Sequence, residues 1–543
     1  MSVVGEAAGL GLAAVSLLAG FEGALKGYLL IEGMFDKDNG IRDLALDYRI
    51  ECEKLRSWGD RFKINAAREE NCLLYNEKPQ IKRLMAEIFG RIHKLHEEAN
   101  GYVKEHKAAD YAVDYEGLQK PSASFTKFLQ ANGPEVETLS QAQSSKKQHH
   151  RIKWVIKNKA KFEEVVRRLR KANEDLLGLL SIPSLETFNR ALPGYVLAFM
   201  SGQDLQQTID SRASKDDLIR QVAQLKLLQL SRDDQNEPTK IERQNLEPTN
   251  PAKSATSRDI WIYNLVARVW VEWLEIESTL SPTETHQLRS RIKTLAVMLE
   301  SAPPTFSMAK CIGYFEDAAH PLRTGIVYSL PIKPAILAPI SLLAMITQHA
   351  SNKSIPEPPL GQKFRLAQTL ATALMQLHAC NWLHKGFRSD NIIFLTTPGS
   401  ASASRLEDPK IAGFEYARDV TMQSIGYRPN GSNPLDYYYH PDVTSGFSKT
   451  LDLYSLGVVL LELALWRPLS AKIPANRKGS LEAINAVLLE TVDGAGLDAE
   501  VGTVYADVVR KCLRCDFPSA KYEAEFTCAM NTEVVLQLEQ CVA

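Results

Sequence analysis

Two short stretches hold residues whose types and spacing could do chemistry. In "HKGFRSDN" (384–391) a histidine, two cations, a carboxylate and an amide sit close together. Asp390 is a candidate proton acceptor, and Asn391 a candidate oxygen ligand for a divalent cation. In "IAGFEYAR" (411–418) Glu415 is a second candidate metal ligand. Two other motifs carry less. Cys512 and Cys515 form one C-x-x-C with no second pair nearby. A zinc site needs four ligands, so the pair reads as two positions on a helix face. "GLGLAA" (9–14) mimics a dinucleotide-binding G-x-G-x-x-A. Too little chain precedes it for the strand that motif requires, and the match is rejected.

These residues need elements to hold them. A chain of 543 residues predicts two or three domains, and 45% hydrophobic with 24% charged residues fits globular protein. A net charge of −1 gives no bias toward nucleic acid, and none is expected as a partner. The eight cysteines are too few and too irregular for a secreted disulfide framework. The start lacks the basic region of an ordinary signal peptide but carries the apolar run "AAGLGLAAVSLLAGF" (7–21). This run is short for a membrane span, and reads either as a buried bundle helix or as one able to leave the bundle for a bilayer. Gly5/Gly9 and Gly23/Gly27 each fit G-x-x-x-G, a weak signal for close helix approach.

Helical spacing dominates residues 1–230. In "RIKWVIKNKAKFEEVVRRLRKANEDLLGLL" (151–180), Val155, Phe162, Val166, Leu169, Leu176 and Leu180 make one apolar face. Residues 146–171 hold eleven Lys or Arg against two Glu, which reads as a solvated face or as attraction to anionic lipid. Residues 231–257 are polar, Pro-containing and aperiodic, and read as a flexible linker. Strand-like stretches follow at 260–276, 310–317 and 324–331, and helical spacing returns from 361. The fold class expected is multidomain: an all-α helical bundle at 1–230, then an α+β domain at 258–540.

The apolar start, "YRIECEKLRSWGDRF" (48–62) and "HHRIKWVIKNKAKFEEVVRRLRKANEDLLGLL" (149–180) resemble the fungal HeLo family, the prion-inhibition-and-propagation module. The resemblance implies an α-helical bundle with membrane-targeted toxicity in regulated cell death and non-self recognition. Leu10, Leu17 and Phe21 are then the candidate membrane-active residues.

The second half resembles the protein kinases. "HKGFRSDN" is similar to H-R-D-L-K-P-x-N, with His384 and Asn391 kept, Gly386 at the catalytic Asp and Arg388 at the loop Lys. "IAGFEYAR" is similar to the D-F-G region, with Gly413 at the metal-binding Asp, Phe414 kept and Glu415 at the Gly. "YYHPD" (438–442) resembles A-P-E, with Asp442 as its acid, and "KTLDLYSLGVVLLELALWRPL" (449–469) the long central helix, with Asp452 as its buried acid. No Gly-rich loop occurs in 231–330. Leu274 falls at the strand lysine, and Glu300 is the one Glu of the expected regulatory helix (285–301).

The resemblance implies a two-lobed pseudokinase without phosphotransfer, with ATP binding weak or absent, no metal and no other cofactor. Helical bundle, linker and pseudokinase follow the order seen in mixed-lineage-kinase-like necroptosis effectors. The expected role is a cytoplasmic cell-death effector that relocates to anionic membrane lipids, self-associates through its bundle and answers to an upstream sensor protein. A residual ATP-binding kinase and a non-enzymatic signalling scaffold are the alternatives.

Overall fold

The computed structural model describes residues 42–62, 79–107, 147–197, 200–211, 218–231, 237–249, 258–276, 280–331, 338–352, 356–396, 406–414, 418–419, 429, 431, 433–474, 479–494, 496–519 and 523–543. Leu10, Leu17, Phe21 and Glu415 lie outside them, as do the side chains from Lys147 to Lys159. The chain divides into two compact units, Met1–Arg220 and Gln221–Ala543.

The first unit is helical: α1 (Arg42–Arg61), α2 (Pro79–Lys107), α3 (Lys147–Leu177), α4 (Ile182–Leu197) and α5 (Gly202–Ser211), while α6 (Leu218–Ser231) runs across the division. Helix α1 packs against α3, α4 and α5, and α3 also packs against α2. Neighbours on several sides bury α1 almost all round, its charged residues included. Glu51, Glu53, Arg56 and Arg61 are all buried. Such burial is tolerable only with partners. Glu53 accepts from Arg56 Nε at 2.8 Å. Glu51 accepts from Lys54 Nζ at 2.9 Å, Arg170 Nε at 3.2 Å and Asn173 Nδ2 at 3.0 Å. The Glu51 network ties α1 to α3, and so joins the two stretches that carry the HeLo resemblance. Phe162, Val166, Leu169 and Leu176 of the expected apolar face are buried, and Leu180 is half-buried. Several basic side chains beyond them meet acids: Arg167 with Glu164, Arg168 with Glu98, Lys171 with Asp175. Among the described residues no helix is long and apolar enough to cross a membrane.

The second unit opens with an antiparallel sheet of β1 (Leu246–Pro248), β2 (Arg258–Tyr263), β3 (Ala267–Glu275), β4 (Cys311–Glu316) and β5 (Arg323–Ser329), in the order β1-β2-β3-β5-β4. The strand-like stretch at 260–276 is a hairpin, turning at Asn264 and Leu265 with positive φ. Period-two alternation sends Val269, Val271 and Trp273 to a core with Trp261, Phe315 and Val327. Trp270, Glu272 and Leu274 face the other way, and are also buried.

Residues 237–249 do not behave as the linker expected there. Ile241 N donates to Tyr314 O at 2.8 Å, which lays this segment along β4, while β1 pairs with β2 at the opposite edge. Ile241 and Leu246 both enter the sheet core. With residue 241 on the outer edge of β4, five strand spacings of a flat sheet, about 24 Å, would separate it from β1, and the chain from 241 to 246 reaches at most about 18 Å fully extended. A 3-10 turn at Arg243–Asn245 shortens it further, so the sheet must curl around its core.

Helix α7 (Pro282–Ser301) starts with a capping box between Ser281 and Glu284 and packs on β4. The rest is mainly helical: β6 (Ala338–Ser341), α8 (Leu342–Ser351), α9 (Leu360–Ala379), β7 (Trp382–Leu383), β8 (Ile392–Thr396), β9 (Lys410–Ile411), β10 (Arg418–Asp419), α10 (Lys449–Leu465), α11 (Leu481–Asp493), α12 (Gly496–Val501), α13 (Thr503–Leu513), α14 (Glu523–Met530) and α15 (Leu536–Gln540). Helix α10 is apolar nearly all round and is the buried centre of this part, packed by α9, α12 and α13. The multidomain expectation holds at this level: a helical region, then helices with antiparallel sheets, an arrangement compatible with a kinase-like fold.

Candidate functional site

The resemblance to kinases draws attention to the meeting of β2, β3, the 384–391 loop and Gly413. Antiparallel pairing sets Arg258 of β2 directly opposite Glu272 of β3. Arg258 Nε donates to Glu272 Oε1 at 3.0 Å, and Gly413 N donates to the same oxygen at 3.0 Å. Tyr328 Oη donates to Glu272 Oε2 at 3.2 Å. Burial, with the Glu272 charge adding to it, pushes the Tyr328 phenol well up, so it stays a donor. The other end of the guanidinium crosses to the loop. Nη1 donates to Asp390 O at 2.8 Å, and Nη2 to Asn391 Oδ1. Asn391 Nδ2 donates to Gly386 O at 2.7 Å. Both ends of the Asn391 amide are therefore engaged inside the protein.

The two glycines follow from this closure. Gly413 has φ +80°, and a β-carbon there would lie 2.0 to 2.4 Å from the Asn391 amide atoms. A β-carbon on Gly386 would sit 3.0 Å from Gly413 O and 3.3 Å from Asn391 Nδ2. An aspartate at 413 requires Asn391 to move, and one at 386 requires its neighbours to give. Asp390, the candidate substitute base, is held by Arg388: Nε to Oδ1 at 3.0 Å and Nη2 to Oδ2 at 3.3 Å. Arg388 also donates to Tyr439 Oη at 3.2 Å. Among the described residues no cluster of three or more His, Cys, Asp or Glu could hold a metal ion.

Strand β3 carries Leu274, the residue read as falling at the strand lysine. Leu274 is buried on the same face as Glu272, but the side chain that reaches Gly413 and the partner of Asn391 is that of Glu272. The site thus has a carboxylate where the sequence reading places a leucine. Glu300 does not reach β3. It accepts from Thr239 N and Oγ1, both at 2.9 Å, and so anchors the segment that lies along β4.

The other expected positions form scaffold. Asp452, fully buried on α10, accepts from His384 N at 2.8 Å and Lys385 N at 2.9 Å, and is hydrogen-bonded to His378 Nε2 at 3.1 Å. Lys385 has φ 62°, and these bonds fix the turn of the loop. His384 packs its ring 4.6 Å from that of Phe414. Burial pushes the His384 imidazole down to about 4 against the pull of Asp452, and its Nδ1 takes the Gly386 N–H at 3.2 Å. Asp442 is exposed and paired only weakly with His440, at 3.5 Å. The buried acid near it is Glu462, which accepts from Tyr437, Tyr438 and Leu469 N. Cys512 and Cys515 are free thiols, buried and half-buried, but they do not share a helix face: α13 ends at Leu513, and Cys515 lies past its cap at Arg514 with φ 52°.

The sequence reading missed Arg258, Glu272 and Tyr328. The signal was present: an acid inside the apolar run "VWVEWL" must find a partner when buried.

Residues 9–229 match the family model described as prion-inhibition and propagation (HeLo), and residues 314–543 match that of a domain of unknown function, DUF7580. A probable serine/threonine-protein kinase of Dictyostelium discoideum is 27% identical over 153 residues, 25% of this chain and 32% of that protein. The serine/threonine-protein kinase TIO of Arabidopsis thaliana is 30% identical over 119 residues, 22% of this chain and 8% of that protein. A second probable kinase of Dictyostelium discoideum, kinY, is 22% identical over 158 residues, 29% of this chain and 25% of that protein. The chain therefore spans about a third or less of each of these kinases. Together the matches support a fusion of a HeLo-type domain with a kinase-like domain.

Proposed function

We propose that this chain is a fungal effector of regulated cell death or non-self recognition. Its HeLo-type bundle acts on membranes, and its two-lobed kinase-like domain controls the bundle without phosphotransfer. The observation that carries the reading is the match of residues 9–229 to the prion-inhibition-and-propagation family. The closed Arg258–Glu272–Asn391 cluster supports the second half, because Asn391, the residue expected to meet metal, accepts from Arg258, which Glu272 pairs. In this reading an upstream partner shifts a two-state contact, the apolar N-terminal stretch becomes available, and self-associated bundles bind anionic lipid from the cytoplasm. The test is dye release from anionic liposomes by residues 1–230 and by the full-length chain. Release by the fragment and little by the full chain is the expected result. Charge substitutions at Leu10, Leu17 and Phe21 should abolish it. Absence of release from either protein, both folded, would replace the effector with a scaffold.

A second reading, a residual protein kinase, draws on the similarity to proteins named serine/threonine kinases. It requires Mg-ATP to raise the melting temperature and autophosphorylation to be lost on changing Asn391.

A further inference from the structure

Among the described residues, three oxygens accept from the Arg258 guanidinium: the Glu272 carboxylate, the Asn391 amide oxygen and the Asp390 main-chain carbonyl. One comes from β3 and two from the 384–391 loop. A carboxylate, a side-chain amide oxygen and a backbone carbonyl are the donor types that hard divalent cations take from proteins. Here the cation is covalently part of the chain. Its planar fork addresses all three oxygens at once, which a single ammonium cannot do. The cation is well enclosed, with the Arg258 side chain 16% exposed and that of Glu272 4%. Tyr328 Oη and Gly413 N also donate to Glu272, so both carboxylate oxygens are hydrogen-bonded.

From this geometry we propose that Arg258 is the resident cation of a three-oxygen site, which holds the five-stranded sheet to the 384–391 loop without any bound metal or nucleotide. The chain supplies its own ligand. Asn391 is kept because it is an oxygen ligand and a lock on Gly386, and Glu272 is present because the resident cation needs a counter-charge. Sheet and loop are joined permanently, and the junction does not wait for a small molecule. The inference concerns the second unit alone, and failure of the liposome experiment leaves it intact.

The test is amide hydrogen exchange by mass spectrometry on the full-length chain, comparing the natural protein with Arg258→Ala and Arg258→Lys. Removing one partner of an enclosed ion pair leaves the other charge uncompensated. Arg258→Ala should therefore lower protection by about a hundredfold or more, in peptides covering 269–275 and 386–391 together, while peptides covering 162–176 keep theirs. Low, non-denaturing guanidinium chloride, or magnesium chloride, should restore part of the protection, because the three oxygens remain. Arg258→Lys keeps a cation and should fall between the two. Unchanged protection in Arg258→Ala would overturn the proposal, as would loss that neither salt reverses. If Arg258→Ala does not fold, Arg258→Lys is the deciding variant. Intermediate protection supports a resident cation, and failure of this charge-preserving variant to fold would assign the site to packing.

Discussion

Writing aspartates back at Gly386 and Gly413 should not give this chain phosphotransfer, and should destabilise it. At Gly413 two costs add. A side-chain-bearing residue in the left-handed region costs about 1–2 kcal/mol. A β-carbon there also displaces the Asn391 amide, which breaks its bonds to Gly386 O and to Arg258. A neutral hydrogen bond contributes about 0.5–1.5 kcal/mol and one to a charged group about 1.5–3. The sum is about 3–6.5 kcal/mol, set against a whole-domain stability of about 5–15 kcal/mol. At Gly386 the contacts are 3.0 and 3.3 Å, a smaller strain that does not simply add to the first, because both positions press on Asn391 and the change at Gly413 already displaces it. The assay is thermal melting of Gly413→Asp and the Gly386→Asp/Gly413→Asp double variant in the full-length chain, with and without Mg-ATP, followed by a phosphotransfer assay. Lower melting temperatures, no response to Mg-ATP and no transfer are expected. A double variant as stable as the parent, and further stabilised by Mg-ATP, would refute the claim that the site is closed by its own side chains.

Two predictions concern the bundle. Glu51→Ala removes the acid that Lys54, Arg170 and Asn173 share, and urea unfolding of residues 1–230 should show a loss of about 1–3 kcal/mol, against little change for Arg167→Ala on the exposed face. His96 is buried, and desolvation pushes its imidazole down to about 3 while the Tyr48 hydroxyl is hydrogen-bonded to its Nδ1. The folded value lies below the unfolded value of about 6.5, so stability is complete above pH 6.5 and falls as pH drops toward 3, by about 1.4 kcal/mol per pH unit within that window. Urea midpoints of the fragment should show this slope, and His96→Gln should reduce it.

Much of the bundle was legible, because helical spacing in 151–180 is long enough to show which face is buried. The scaffold of the second half was legible for a related reason. Asp452 and the 449–469 helix lie in one continuous apolar run, and their wording is local. What escaped reading is non-local or very short. Arg258 meets Asp390 and Asn391 more than a hundred residues away, and its partner Glu272 is an ordinary acid until the strand's alternation turns it inward. The shift from Leu274 to Glu272 is two residues, one full strand period, so both positions satisfy the same pattern. Residues 237–249 read as linker because each short edge segment contributes a single buried apolar residue, Ile241 and then Leu246. One buried residue per segment sets up no periodicity. The charge excess of 146–171 was plain, but Arg167, Arg168, Arg170 and Lys171 proved to be paired, in part with acids of other helices such as Glu98 and Asp47.

The way residues 239–249 cover both borders of the curled sheet has a mechanical consequence. Exposed borders invite pairing with another chain, and here one short stretch shields both. Tension on the chain before residue 237 would load the bonds between Thr239, Ile241 and Tyr314 first. Once they yield, β1 lies only five residues further along, and the same pull reaches the opposite border. A tug from one direction would thus uncover two sticky seams in succession, and Arg258 begins the strand that borders the second of them.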